Sequence, residues 1–146
     1  MRNDSVAFLD ANVLVYAYDE RAPEKRDIAN ELIDNLWTDG SCVVSTQVLQ
    51  EFYAACRSKL GDFVSADEAA SGAEFFATWP IHQNATHDVL DAIALHQREQ
   101  LSFWDALIVV AAQRIGATVV YSEDLGDRAA IDGIEFVNPF AEFEAV

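Results

Sequence analysis

Short apolar runs of strand length alternate with stretches of helical periodicity along the whole chain, and that alternation restricts the fold more than any other feature of the sequence. Ser5-Val-Ala-Phe-Leu9 reads as a buried strand ending at Asp10, and Val13, Leu14, Tyr16 and Ala17 mark a helix opening at Asn12. Pro23 suits the first turn of a second helix, whose Ile28, Ala29, Leu32, Ile33 and Leu36 recur at helical spacing until Gly40 stops the run. Cys42-Val-Val-Ser45 is a second strand. Thr46 is expected to cap the helix after it, through about Leu60, with Val48, Leu49, Phe52, Tyr53 and Cys56 as the apolar stripe. Ser65 and Glu68 have capping-box spacing for a helix that runs to Trp79, before Pro80. Pro80-Ile-His82 fits a short strand, followed by helices over Thr86–Glu99 and Ser102–Ile115, the second ended by Gly116. Ala117–Ser122, rich in β-branched residues, and Ile134–Val137 complete the strands.

Strands that alternate with helices build an α/β fold around a mainly parallel sheet. The 146 residues are expected to form one domain over 1–146, long enough to bury a substantial core. In such a sheet the C-terminal strand ends share one edge, and ligands bind in the crevice outside it.

Four acidic residues fall where that crevice would lie. Asp10 directly follows the first strand, Asp124 follows the fourth, Glu51 lies five residues beyond Thr46, and Asp105 sits in the first turn of the helix that Ser102 would cap. Singly, Asp10 reads as a helix cap and Asp105 as an acid favoured by the helix dipole. Their order together points to a carboxylate pocket. Clustered carboxylates repel one another unless a cation compensates, and hard oxygen donors suit Mg²⁺ or Mn²⁺. Mg²⁺ prefers a few carboxylates plus substrate phosphate, so a phosphodiester substrate fits better than a closed structural site, and an activated water removes the need for a protein nucleophile. No Ser-His-Asp or Cys-His constellation stands out, and Cys42 and Cys56, without the spacing of a zinc or redox motif, are expected to be buried thiols.

Asp10-Ala-Asn12, Gln47-Val-Leu-Gln-Glu51-Phe-Tyr53, Leu101-Ser-Phe-Trp-Asp105-Ala-Leu107 and Ser122-Glu-Asp124-Leu125, in that order, resemble the motifs of PIN-domain proteins, specifically VapC-type toxin ribonucleases. The resemblance spans essentially the whole chain. It implies a three-layer α/β/α domain and a metal-dependent endoribonuclease acting on single-stranded or structured RNA, with Asp10, Glu51, Asp105 and Asp124 as the catalytic set. It further implies Mg²⁺ or Mn²⁺ at Asp10, Asp105 and Asp124, with Asn12 and Ser122 orienting ligands or waters and Thr46 capping the Glu51 helix beside them. A cognate antitoxin protein and a homodimer are carried by the same likeness. Match to the motif favours Asp124 over the neighbouring Glu123 and Asp127.

A net charge of −16 is at odds with the basic face that a nucleic-acid-binding protein usually carries. Arg21, Lys25 and Arg26 form a local cationic cluster, although a solvated helix face is the plainer expectation. The rival function is therefore a PIN-like scaffold that binds nucleic acid or protein with weak or no cleavage. A receiver-type signalling domain would need a Lys after a late strand, and Lys25 and Lys59 both lie in the wrong half. A haloacid-dehalogenase-like phosphatase would have a second Asp where Asn12 stands.

Of the remaining residues, Trp104 offers a face for stacking on a base, with packing the plainer expectation, and Phe75, Phe76 and Trp79 read as core in preference to a dimer surface. His87 and Asp91, four apart, can share a helix face with Asp88 and His96 nearby, but a second metal site is not expected there, and Ala141–Glu144 reads as a solvated tail. No apolar run approaches the ~20 residues of a membrane span, and no signal-peptide core follows Met1, so a cytoplasmic protein without membrane contact is expected.

Overall fold

The computed structural model describes residues 6–125 and 128–144; Ser5 and Asp127, both weighed above, lie outside them. The chain runs β1 (Ala7–Leu9), α1 (Ala11–Tyr16), α2 (Pro23–Thr38), β2 (Cys42–Ser45), α3 (Thr46–Lys59), α4 (Ala66–Phe76), β3 (Ile81–His82), α5 (Thr86–Glu99), α6 (Phe103–Arg114), β4 (Val119–Tyr121), β5 (Glu135–Val137) and α7 (Ala141–Glu144). The five strands form one sheet in the order β3-β2-β1-β4-β5, every pair parallel, with Phe8 in register with Val43 on one side and Val120 on the other. This is the expected α/β fold.

Burial along the strands shows why helices flank the sheet. β1 and β2 are buried at every position, as strands covered on both faces must be, whereas the edge strand β5 alternates, with Phe136 buried between exposed Glu135 and Val137. α6 packs on β2, β3 and β4 and pairs with α5. Ala106–Ala112 are buried around its whole circumference, the pattern of a helix enclosed on all sides. α2 and α3 approach β2, with α1 and α4 packed on α3.

The helix stops follow from backbone geometry. Gly40 and Gly116 have φ of 69° and 80°, the left-handed conformation that glycine adopts without steric penalty just past a helix end. At the start of α3 the expectation is corrected: the cap is Ser45, whose side chain accepts from the Val48 amide, and Thr46 is the first helical residue. β2 simply runs straight into the cap, so the hydroxyl one position earlier has the extended backbone that capping requires.

The stripe of α3 is also narrower than the apolar pattern suggests. Val48, Phe52 and Cys56 are buried one turn apart, while Tyr53 is exposed. Phe76 and Trp79 belong to the core as expected, but Phe75 turns outward and meets the exposed Trp37. The segment Ala141–Glu144 is a helical turn held by Glu144, which accepts from Lys25 at 2.9 Å, so it is not a free tail. No helix among the described residues is long and apolar enough to cross a membrane.

Candidate active site at the strand switch point

The chain leaves β1 toward β2 and β3 and later returns to place β4 on the other side of β1. Neighbouring connections therefore diverge above β1 and β4, opening a crevice at their C-terminal ends. Asp10 follows β1 and Ser122 follows β4, and the two meet there: Ser122 Oγ donates to Asp10 Oδ2 at 2.8 Å, while the Ala11 amide donates to Oδ1 at 2.8 Å. Asp10 is thus both the cap of α1 and a buried carboxylate, 5% exposed.

Asn12, in the first turn of α1, ties the same loop from the other side. Its amide nitrogen donates to Asp124 at 3.3 Å and its carbonyl oxygen accepts from the Glu123 amide at 3.2 Å. Ser122 Oγ also accepts from the Asp124 amide at 3.2 Å, so one hydroxyl organises both ends of the carboxylate row. Glu123 borders the same crevice but is engaged by Lys25 at 2.7 Å and Tyr16 at 3.1 Å.

Glu51 and Asp105 arrive on helices. Ser102 caps α6 by accepting from the Asp105 amide at 3.0 Å, which fixes Asp105 in the first turn, as expected. Glu51 is exposed and accepts from Gln47 Nε2 at 2.6 Å; the same amide donates to the Trp104 carbonyl at 3.3 Å, linking α3 to α6. Asp10, Glu51, Asp105 and Asp124 all line one cavity of about 310 Å³, with Asn12, Gln47 and Trp104 among its other walls.

Ser122 lies buried beneath that cavity, and Thr46 has no place in its lining. Two residues were missed or misjudged from the sequence. Gln47 is buried and aimed at the site because it lies four residues before Glu51, a spacing legible in hindsight. Trp104, expected to pack, is 63% exposed and lines the cavity, because the buried face of α6 begins only at Ala106.

Electrostatics within the cavity favour a cation. Burial raises the Asp10 carboxyl to about 7, against the hydrogen bonds from Ser122 and Ala11, with Glu51 and Asp105 adding repulsion. Burial also raises Asp105, opposed by Ser102 and reinforced by Asp124. Among the described residues no three Asp, Glu, His or Cys side chains converge to coordinate one ion by themselves. The donors that line the cavity are nonetheless hard carboxylate and amide oxygens, the type that suits a hard divalent cation. Gln47 Oε1, buried without a hydrogen-bond partner, adds an unsatisfied acceptor at the same wall.

The other sequence cluster is structural. Asp88 is fully buried and its carboxylate binds His82 at 2.9 Å, the Ala85 amide at 2.8 Å and Arg114 at 3.1 Å, with Asp91 also on Arg114. Burial alone would raise its pKa, but the Ala85 amide and His82 outweigh that and hold it below the usual range. It pins the start of α5 to the end of α6. Cys42 and Cys56 are buried, which pushes their thiols up to about 12 and about 11, so neither is a thiolate nucleophile.

The sequence matches the family model described as PIN domain over residues 7–130. Among curated proteins there is no match. The fold is similar to that of a toxin-antitoxin complex from Klebsiella pneumoniae, with TM-score 0.68 and 19% identity over 91% of this chain and 97% of that one. VapBC2 from Rickettsia felis, bound to a DNA fragment from its promoter, gives TM-score 0.65 and 19% identity over 91% and 98%. The sarcin-ricin loop cleaving toxin VapC20 of Mycobacterium tuberculosis gives TM-score 0.61 and 17% identity over 80% and 88%.

Proposed function

This chain belongs to the PIN domain family, and from that premise we propose that it is a metal-dependent endoribonuclease, the toxin of a VapBC-type toxin-antitoxin pair. The observation that carries the proposal is the convergence of Asp10, Glu51, Asp105 and Asp124 on one cavity at the strand switch point. Toxins and VapBC complexes among the structural neighbours support it, as does a donor set suited to a hard divalent ion.

Asp10, Asp105 and Asp124 would hold Mg²⁺ or Mn²⁺. A divalent ion in such a site supplies charge neutralisation at the phosphate and acidifies the attacking water. The chain's own residues do the positioning. Ser122 favours the ionised form of Asp10 and orients it by donating to it, Asn12 fixes Asp124, and Gln47 holds Glu51, which would accept a proton from the attacking water as its oxygen bonds to phosphorus and the opposite P–O bond breaks, the departing oxygen taking a proton from solvent. The exposed indole of Trp104 offers a face on which a base of the RNA stacks. A cognate antitoxin and a second copy of the chain are its proposed partners.

Incubating purified protein with a total-RNA pool in Mg²⁺, Mn²⁺ or EDTA tests the proposal. Discrete fragments that require the metal support it. Intact RNA in every condition, from folded protein free of antitoxin, favours the scaffold alternative, a PIN-like binding protein without cleavage.

A further inference from the structure

The cavity does not end at the carboxylates. On α3 it is lined by Gln47, Glu51, Ala55 and Lys59, each four residues from the last, and therefore by one ridge of the helix. At the rise of an α-helix, Lys59 lies about 12 Å beyond Glu51 along the axis. Asn12, Tyr16, Asp19 and Arg21 line it from α1 and the segment that follows. Ala55 leaves the middle open. Asp10, Glu51, Asp105 and Asp124 thus share a groove with two cations, Lys59 further along the α3 ridge and Arg21 paired to Asp19 in the groove wall.

Arg21 is fixed before anything binds. Asp19, 6% exposed, accepts from its Nε at 2.9 Å, from Nη2 at 3.1 Å and from its backbone amide at 3.0 Å. The guanidinium carbon lies 5.9 Å from the centre of the Phe63 ring. The side chain is still half exposed, and Nη1 has no hydrogen-bond partner among the described residues. A guanidinium held this way meets a phosphate oxygen with little further loss of rotamer freedom. Lys59 is exposed and has no ion-pair partner among the described residues. Four of the six other described Lys and Arg residues are turned toward the chain's own acids: Lys25 on Glu123 and Glu144, Arg26 on Asp27, Arg98 on Glu99 and Asp132, Arg114 on Asp88 and Asp91.

We propose that the limb of the groove from Glu51 to Lys59 is a track for the RNA backbone, in which Arg21 and Lys59 each take a phosphate flanking the one that reacts. The proposal rests on the ribonuclease reading of the carboxylate end. In a chain of net charge −16, these two cations give the polyanion local contacts beside the carboxylates, whose own charge a bound divalent ion would offset.

The test is fluorescence anisotropy with a labelled single-stranded RNA of mixed sequence, in Ca²⁺ and across 50–200 mM salt, with the RNA verified intact by gel. Arg21→Gln and Lys59→Gln are each expected to lower the slope of log affinity against log salt by about 0.7, equivalent to about eightfold weaker binding at 50 mM salt. Because Arg21→Gln leaves Asp19 buried and unpaired, the Asp19→Asn/Arg21→Gln double variant is measured beside it, and both are checked by thermal melting. Arg21→Lys should recover the slope. Wild-type binding with unchanged slopes in Lys59→Gln, in Arg21→Gln and in the Asp19→Asn/Arg21→Gln double variant overturns the track while leaving the ribonuclease standing. A wild type that binds no RNA overturns both.

Discussion

Ser122 Oγ donates to the buried Oδ2 of Asp10 across 2.8 Å, joining the segments that leave β4 and β1 although 112 residues separate them in the chain. The same hydroxyl accepts from the amides of Asp124 and Leu125. Ser122→Ala removes a donor that favours the ionised form of Asp10, so its carboxyl rises further above about 7. Cleavage at pH 7 is expected to fall at least tenfold and the alkaline-going limb of the pH–rate profile to move to higher pH, with a stability loss of roughly 1–3 kcal/mol from the stranded partners. An unshifted pH profile would assign Ser122 a structural role only.

Asp10 makes the metal-free protein sensitive to pH in an unusual direction for a carboxylate. Its folded pKa is raised, from 3.8 to about 7, so the folded state binds the proton more tightly than the unfolded chain. The stabilisation is complete below the unfolded value and is lost as pH rises toward 7, by roughly 4 kcal/mol at most. Denaturant titrations in EDTA should show the chain less stable at pH 8 than at pH 5. Asp10→Asn should flatten that dependence, and Mg²⁺ should offset it in the wild type.

Asp124 and Glu123 are neighbours with different partners. Asp124 accepts from Asn12, inside the carboxylate row, whereas Glu123 is bound to Lys25 and Tyr16. Asp124→Asn is therefore expected to lower cleavage at least tenfold, and Glu123→Gln to retain it within about threefold while loosening the Lys25 contact. Rates for the two purified variants on one RNA decide between them; the reverse order would move the site one residue toward β4.

The cap of α3 gives a stability contrast. Ser45→Ala should cost about 1 kcal/mol, because the Val48 amide loses its acceptor in a buried position, whereas Thr46→Ala should lie within about 0.5 kcal/mol of wild type. Equal losses in chemical denaturation would return the cap to Thr46.

Periodicity was enough to place the strands and most helices, because β-branched runs and four-residue apolar spacing are local properties. It was also enough to bring Asp10 and Asp124 to one edge, since a parallel sheet aligns its strand ends whatever the sequence separation. What it could not resolve was orientation. Gln47 and Tyr53 occupy the same helix as Val48 and Phe52, and only the packing of α1 and α6 decides that Gln47 is buried beside Glu51 while Tyr53 faces water. Trp104 was misjudged for the same reason. Its apolarity suggests core, yet it stands one residue before Asp105 at the tip of α6, where the helix has left the sheet. Asp88 shows the converse: a polar residue on a short motif proved to be fully buried, because its partners His82 and Arg114 come from other elements.

The most direct test of the carboxylate pocket is single-turnover cleavage of one RNA fragment from the susceptible pool, by wild type, Asp10→Asn and Asp105→Asn, each shown folded by thermal melting and each titrated with Mg²⁺. The expected result is metal-dependent cleavage by the wild type and a loss of at least a hundredfold in each variant. Cleavage by both variants at the wild-type rate, or wild-type cleavage undiminished by EDTA, would contradict the account.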